Sequence, residues 1–351
     1  MDRTHLWHPL FFILITLATV FPAAAGFAAE PELPAGPEVA TAMQPNQDRS
    51  NLPGVTAAQT PSPEPPRPPR TVPKPGPVPL PILPALPRYE DTAFYAPTAV
   101  PHGKVVQATY KNYAGKEKRM HVYLPADYET KTDARYPVLY LNHGGGEDDA
   151  KWTATDPVKG GGHTHNILDN LIAGGKARPM IVVMPDTREL ASRLPPTPGQ
   201  LDDCSREYLQ DIIPYVDSHY RTKATRENRA LGGLSMGGFV VMNTGLAHLD
   251  TFGELYVYSS GYFPEQLTAV EASFKTVLQD PKTNDVLLRV PLYMAEGETD
   301  IALKNGQATL AIFNRYGLRN FWVLSSGGHE WKNWRRYLWQ TAQIMFPDSA
   351  H

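Results

Sequence analysis

The chain is organised around ten residues, Ala230-Leu-Gly-Gly-Leu-Ser-Met-Gly-Gly-Phe239. Within them, Gly233 to Gly237 form a Gly-x-Ser-x-Gly pattern with Ser235 at its centre. A short apolar strand precedes the serine and a helix-like apolar run follows it, so the chain must turn sharply at this point. Glycines are needed beside such a turn because a Cβ there would collide with the adjoining strand or helix. The pattern therefore predicts a strained turn that lifts the Ser235 hydroxyl clear of a sheet.

Strand-like and helix-like patterns alternate on either side of this turn. Residues 105–110 and 120–124 alternate apolar and polar residues, which is typical of half-buried antiparallel strands. Further strands, several of them nearly continuous apolar runs, are predicted at 136–142, 179–184, 230–234, 252–258, 290–295 and 321–324. Helices are predicted at 166–173, 206–220, 237–248, 302–316 and 331–346. This order predicts an α/β protein with a doubly wound, mostly parallel sheet and antiparallel N-terminal strands.

Composition narrows the possible functions. The 351 residues suffice for one or two domains, and their net charge of −3 gives a nucleic-acid surface no support, so we expect no nucleic-acid partner. Cys204 is the single cysteine, which excludes an internal disulfide and a cysteine-based zinc or redox site. His163 and His165 have a spacing that zinc ligands use, but no further ligand pair is evident. The acidic residues 147–149 lack the alternating oxygens of a calcium loop and are expected to form a solvated turn. We predict no metal site.

The first residues have the composition of an export signal. Arg3 precedes an apolar run from Leu10 to Phe21, and the small residues from Pro22 to Gly26 follow it. This run is too short to span a bilayer comfortably, and the small residues indicate a cleavage site. We expect cleavage after Ala25, with Ala29 as the second choice and an uncleaved membrane anchor as the alternative. The sequence thus predicts an exported bacterial protein, periplasmic or secreted, with no membrane span after cleavage.

Proline dominates the next segment. Of the 35 prolines in the chain, 20 lie between Pro31 and Pro101. Because proline fixes φ and lacks a backbone N–H, this segment cannot build a sheet or a packed core. We predict a disordered, partly polyproline-II linker, with docking to an aromatic-lined partner groove as the alternative. The predicted organisation is a signal peptide at 1–25, a linker at 26–100 and a catalytic domain at 101–351.

The serine needs a base among the histidines, because its hydroxyl is a poor nucleophile until a base takes the proton and an acid orients that base. With a Gly-x-Ser-x-Gly turn, the acid and then the base follow the serine in sequence. His248 ends the predicted helix after Ser235, and His351 ends the chain. His329, in contrast, lies on a glycine-rich turn directly after the last predicted strand. His329 is therefore the predicted base.

The acid is expected at the end of another strand. The predicted strand 290–295 runs into Glu296-Gly-Glu-Thr-Asp300, and active groups of open parallel sheets lie at the carboxyl ends of strands. We predict that Asp300 is the acid, with Glu298 as the alternative. Asp300 could also act as the N-cap of the helix predicted at 302–316.

The negative oxygen of a tetrahedral intermediate needs backbone donors. One is expected from the N–H of Met236, directly after the serine. The other is expected from the loop after strand 136–142, which reads His143-Gly-Gly-Gly146. Gly145 is the predicted donor and Gly144 the next candidate, although a glycine run of this kind could also be only a flexible strand exit.

Four motifs in this chain are similar, in the same order, to those of a known family. They are Tyr136-Pro-Val-Leu-Tyr-Leu-Asn-His-Gly-Gly145, Asp169-Asn-Leu-Ile-Ala173, Gly233-Leu-Ser-Met-Gly-Gly238 and Gly327-Gly-His-Glu-Trp331. The sequence resembles the esterase D-type family, which contains carbohydrate esterase family 1 with its feruloyl and acetylxylan esterases. The resemblance covers residues 100–346, which is most of the predicted α/β part.

The resemblance implies an α/β-hydrolase fold and a serine hydrolase that needs no cofactor. It implies that Ser235, Asp300 and His329 form a catalytic triad, and that Gly145 and Met236 form the oxyanion hole. It says little about the substrate, because siderophore esterases, S-formylglutathione hydrolase and mycolyltransferases belong to the same group of relatives.

The acyl pocket is where the sequence departs from these relatives. Many of them have a Pro-Asn-type turn where this chain has Pro185-Asp-Thr-Arg188, and the loop that follows is rich in proline. Trp152, Tyr262 and Phe263 fall on loops near the carboxyl ends of strands. Their rings are candidates for stacking on an aromatic acyl group or a sugar, and packing inside the domain is the alternative.

The expected function is that of an exported serine esterase acting on feruloyl or acetyl esters of plant cell-wall polysaccharide. A siderophore esterase of the enterobactin type is an alternative, and basic residues in the cleft such as Arg188 or Arg193 would favour it because those ligands are anionic. An acyltransferase of the same fold is a further alternative. A non-catalytic cell-envelope binding protein is the alternative from a different class, and the Ser–Asp–His order argues against it.

Overall fold

The computed structural model describes residues 81–347 except 191, 193, 198, 199, 288 and 289. The predicted signal peptide, the linker up to residue 80 and the candidate Arg193 therefore lie outside the described residues. Within the described range, no helix combines the length and the apolar character that a membrane crossing requires.

Eight strands form one sheet in the order β1-β2-β4-β3-β5-β6-β7-β8. The strands are β1 (Lys104–Lys111), β2 (Glu117–Leu124), β3 (Val138–Asn142), β4 (Ile181–Pro185), β5 (Arg229–Leu234), β6 (Glu254–Tyr258), β7 (Leu292–Gly297) and β8 (Asn320–Ser325). β2 pairs antiparallel with both β1 and β4, and every other neighbouring pair is parallel. Strands β3, β4, β6 and β7 consist of buried residues throughout, and β5 does so except at Arg229, because helices cover both faces of the sheet. The predicted doubly wound α/β sheet with antiparallel N-terminal strands is confirmed.

The helices pack on the two faces of this sheet. They are α1 (Thr164–Ala173), α2 (Asp203–Glu207), α3 (Ile213–His219), α4 (Met236–Val240), α5 (Leu267–Gln279), α6 (Pro281–Val286), α7 (Leu303–Arg315) and α8 (Trp331–Ala342). One apolar cluster joins the sheet to α3, α5 and α7 through Val216, Phe274 and Phe313. The other joins it to α1 and α8 through Leu168 and Leu338. The central strands are thus buried on both faces, and the edge strands β1 and β8 are partly exposed.

Helices α5 and α6 are absent from the sequence prediction, which placed no element between β6 and β7. The buried residues of α5 are Val270, Phe274 and Leu278, four residues apart. This spacing places them on one face of a helix, and it could have been used to predict α5 from the sequence.

Residues 81–100 lie against α1 and α8, so the linker prediction is corrected for this segment. The carbonyl oxygens of Pro84 and Pro87 accept hydrogen bonds from Gln340 and Arg336 of α8, and that of Ala96 accepts one from α1. The apolar side chains of Leu83, Leu86, Phe94 and Tyr95 pack on the same cluster as α8. Proline lacks a backbone donor but keeps its acceptor, and the long polar side chains of α8 supply the missing donors.

Candidate active site

Ser235 lies at the predicted strained turn between β5 and α4. Its backbone has φ 52° and ψ −115°, a conformation that residues with a side chain rarely adopt. A Cβ built on Gly233 would lie 2.4 Å from the carbonyl oxygen of Gly237, and one built on Gly237 would lie 2.6 Å from that of Asn142. The two glycines are therefore required for the close packing of β5, α4 and the end of β3. The strand–turn–helix prediction is confirmed.

The loops after β7 and β8 bring Asp300 and His329 together. Nδ1 of His329 lies 2.8 Å from Oδ1 of Asp300. An ionised carboxylate can only accept hydrogen bonds, so Nδ1 carries the proton and Nε2 is left as the basic nitrogen. Glu298, the alternative acid, is exposed to solvent. Asp300 is thus the acidic residue that the structure brings into contact with His329.

Asp300 is held by two further donors. Oγ of Ser259 donates to Oδ2 at 2.6 Å, and the N–H of Ala302, the residue before α7, donates to Oδ1 at 2.8 Å. The second bond ties Asp300 to the residue before α7, but the N-cap of α7 is Ala302 itself, so the N-cap alternative for Asp300 is wrong. Burial by itself would raise the pKa of Asp300, but the hydrogen bonds from His329, Ser259 and Ala302 outweigh it and lower that pKa below the usual value for aspartate.

Ser259 and Trp334 support this pair, and the sequence analysis did not identify them as site residues. Ser259 directly follows β6 and has φ 50°, and its Oγ accepts a hydrogen bond of 2.8 Å from Nε1 of Trp334. The Trp334 ring also packs edge-on against the imidazole of His329, with ring centres 5.1 Å apart. The only sequence signal for Ser259 was its position at the carboxyl end of a parallel strand.

Ser235 and His329 line one cavity of about 230 Å³. Its other walls are largely apolar and include Met236, Phe239, Phe263 and Ile301. The rings of Phe239 and Phe263 are stacked at an interplanar angle of 24° with centres 6.2 Å apart. The cavity therefore offers a flat, apolar surface beside the serine.

The glycine loop after β3 enters the same cavity. Gly145 lines it together with Met236, the first residue of α4. The N–H of Gly144 instead donates to Oε2 of Glu147 at 3.0 Å, so it is engaged within the loop. His143 also stabilises the loop, because its Nδ1 lies 2.8 Å from the carbonyl oxygen of Gly144. These contacts favour Gly145 over Gly144 as the oxyanion donor.

The acidic residues after this loop do not form the solvated turn that we expected. Glu147 accepts from Gly144 and, at 3.1 Å, from Nε1 of Trp331, so it joins the glycine loop to the start of α8. Asp149 is fully enclosed between Arg119 and His121. Burial opposes its ionisation, yet the hydrogen bonds from His121 and Arg119 lower its pKa to about 2. Across the described residues, no group of three His, Cys, Asp or Glu side chains is arranged to hold a metal ion.

Of the four candidate substrate-binding residues, only Phe263 lines the Ser235 cavity. Trp152 is fully buried and donates to the carbonyl oxygen of Asn142, and Tyr262 is fully buried with its hydroxyl bonded to Asn243. Neither ring can stack on a bound group, so both predictions are corrected to packing roles.

Arg188 lies at a different cavity, of about 670 Å³, formed by β1, β2 and the loop after β4. Its guanidinium makes two hydrogen bonds to Asp186, of 2.9 and 2.6 Å. Its charge is therefore compensated, and it gives no support to an anionic ligand in the Ser235 cavity.

Chains with a strained serine between a parallel strand and a helix, and a histidine after the last strand, are α/β-hydrolase-fold enzymes. Residues 111–344 match the family model named Esterase, and the chain belongs to this family. The predicted membership of an esterase family is thus confirmed.

Among curated proteins, the endo-1,4-beta-xylanase/feruloyl esterase of Xylanibacter ruminicola is 32% identical over 270 residues. The aligned part covers 73% of this chain but only 33% of that protein. Among solved structures, a ferulic acid esterase is similar with a TM-score of 0.57 and 25% identity, over 70% of this chain and 98% of that one. A feruloyl esterase module from Clostridium thermocellum, complexed with sinapinate, has a TM-score of 0.61 and 23% identity, over 77% of this chain and 97% of that one.

Proposed function

We propose that this protein is an exported feruloyl esterase that uses Ser235, His329 and Asp300 as its catalytic triad. The observation that carries the proposal is the apolar cavity in which Ser235 and His329 meet a pair of stacked phenylalanine rings. Export rests on the signal-like composition of residues 1–25.

The chemistry follows from the direction of the hydrogen bonds. Nε2 of His329 takes the proton of the Ser235 hydroxyl as its oxygen attacks the ester carbonyl, and Asp300 stabilises the resulting imidazolium. The N–H groups of Gly145 and Met236 stabilise the negative oxygen of the tetrahedral intermediate. The imidazolium then protonates the leaving alcohol, and water releases the acyl group from Ser235 by the same steps in reverse order.

The shape of the cavity favours an aromatic acyl group over acetyl. Stacked rings at Phe239 and Phe263, with Met236 and Ile301 beside them, suit a planar phenylpropenoyl group. An acetyl group would leave most of the 230 Å³ unfilled and would forgo these contacts. The names of the Xylanibacter relative and of the similar solved structures agree with this choice. The alcohol is proposed to be a plant cell-wall polysaccharide.

A substrate panel tests the proposal. Purified full-length protein is assayed with methyl ferulate, p-nitrophenyl acetate and ferric enterobactin, with Ser235→Ala as the blank. We expect a higher kcat/KM for methyl ferulate than for either other ester, and no turnover above background in the variant. Preference for the acetyl ester would overturn the aromatic acyl group, and preference for ferric enterobactin would identify a siderophore esterase. Absence of turnover with all three would favour the binding-protein alternative.

A further inference from the structure

The turn that carries His329 is held on its buried side by hydrogen bonds. The N–H of Thr299 donates to the carbonyl oxygen of Gly327 at 3.0 Å, and Asn333 donates to that of Gly328 at 2.9 Å. The N–H of Gly328 donates to Oε1 of Glu330 at 3.0 Å, which closes the turn around His329.

The outside of the same turn is covered by Tyr89, a residue of the N-terminal segment. A Cβ built on Gly327 would lie 2.3 Å from the Tyr89 ring, so the ring rests directly on the glycine backbone. The Tyr89 hydroxyl donates to Oε1 of Glu330 at 2.5 Å. One carboxylate oxygen therefore receives both the Tyr89 hydroxyl and the Gly328 N–H, on either side of His329.

The segment that carries Tyr89 is fastened along α8 in a regular register. The backbone carbonyl oxygens of Pro84 and Pro87 accept from Gln340 and Arg336, and the side-chain carboxylate of Glu90 accepts from Lys332. The acceptor residues are three apart in the chain and the donor residues are four apart. A spacing of four places the α8 donors on one helix face, and a spacing of three is the period of a polyproline-II chain. The segment thus runs antiparallel to α8 and ends with Tyr89 and Glu90 at the helix start, next to His329.

We propose that Tyr89, acting through Glu330, is a positioning residue that holds the His329 turn in its catalytic geometry. This inference rests on the proposed triad. Two features exclude a direct role for Tyr89 in binding: it does not line the Ser235 cavity, and its hydroxyl is directed at Glu330. Its contribution is therefore to the placement of the imidazole, on which the rate depends steeply.

The test uses point variants of the full chain. Tyr89→Phe removes only the hydroxyl, Tyr89→Ala removes the ring as well, and Glu330→Gln keeps an acceptor at Oε1. Tyr113→Ala, a half-exposed tyrosine at the β1–β2 turn, is the matched control. Active-site titration with a fluorophosphonate gives the concentration of competent enzyme, so that kcat is not affected by unfolded protein.

We expect kcat for methyl ferulate to fall about tenfold in Tyr89→Ala and less in Tyr89→Phe, with KM unchanged within twofold. Glu330→Gln, which loses the charge but keeps Oε1 as an acceptor, should lower kcat no more than Tyr89→Phe does, and Tyr113→Ala should stay near the parent. The inference would be overturned if both Tyr89 variants kept the parent's kcat, or if KM rose as much as kcat fell. The proposed triad would not be affected by either result, as long as Ser235→Ala is inactive. Full activity of Ser235→Ala would instead refute the proposed function itself.

Discussion

The carboxylate of Asp300 meets the imidazole of His329 at 2.8 Å, although 29 residues separate them in the chain. The contact arises because β7 and β8 are parallel neighbours, so the loops after them emerge at the same edge of the sheet. Ser235 reaches the same edge from β5.

Replacing Ser235 by alanine should lower kcat by about 10⁴-fold or more, because the hydroxyl that forms the acyl-enzyme is then missing. The backbone turn is fixed by its glycines, so the unfolding midpoint should change little. Stopped-time assays with methyl ferulate and urea unfolding measure the two quantities. Residual turnover within tenfold of the parent would mean that Ser235 is not the nucleophile.

Replacing Ser259 by alanine should raise the pKa of Asp300, because one of the hydrogen bonds that lower it is lost. The carboxylate then takes up its proton at a higher pH than in the parent, and an NMR titration of the Asp300 carboxyl carbon in both proteins measures the difference. Ser205→Ala removes a buried hydroxyl that is bonded to Thr244 instead, and it is the matched control. Identical titration curves for Ser259→Ala and the parent would contradict this account.

Phe263→Ala should separate aromatic from small acyl groups. Loss of one of the two stacked rings should reduce kcat/KM for methyl ferulate about tenfold, a value of the order expected for one aromatic contact. The value for p-nitrophenyl acetate should change little, since an acetyl group has no ring to stack on Phe263. An equal loss on both esters would indicate that Phe263 supports the fold and does not select the acyl group.

Stability should fall in mild acid because of His163. Burial, helped by the nearby charge of Arg335, lowers its pKa from the ordinary 6.5 to about 4. Between these values the unfolded chain binds a proton that the folded chain does not, so stability is complete above pH 6.5 and declines as the pH falls towards 4. His163→Asn should reduce this decline, and asparagine also tolerates the positive φ of 51° found there.

The control for this experiment is His219→Asn, at the exposed end of α3. Urea midpoints for both variants and the parent, taken at pH 7 and pH 5, give the comparison. If His163→Asn loses as much stability between these pH values as the parent does, another buried group is responsible.

Asp149→Asn should destabilise the fold by about 1–3 kcal/mol, because Arg119 and His121 both lose the charged acceptor that they share. The neighbouring Asp148→Asn is the matched control. It is about 39% exposed and lies 3.5 Å from Arg119, so its loss should cost under about 0.5 kcal/mol. Denaturant unfolding at pH 7 measures both, and equal values would contradict the distinction.

Much of this molecule could be predicted from local patterns. Each predicted strand is present within a few residues, because a parallel sheet covered on both faces demands apolar runs. The turn at Ser235 and the contact between Asp300 and His329 followed from glycine sterics and from strand ends. These features depend on the residues themselves and on the general geometry of α/β sheets.

The environment of single side chains could not be predicted in this way. Trp152 and Tyr262 lie on loops that look accessible in the sequence, but both rings turn inward and are buried by residues from other strands and helices. Phe239 reaches the cavity from α4, a position that reads as core. The role of Tyr89 was missed because its segment is rich in proline, which led to a prediction of disorder. A proline-rich segment can be ordered where another element supplies hydrogen-bond donors, as α8 does here.

The register between the N-terminal segment and α8 has a mechanical consequence. Tension applied from the N-terminal side of residue 81 would first load the contact of Pro84 with Gln340, then that of Pro87 with Arg336, and only afterwards Tyr89 and Glu90. Contacts that are loaded one after another protect the last of them until the earlier ones have broken. A force on the N-terminal side would therefore reach the His329 turn only after the contacts of Pro84 and Pro87 had broken.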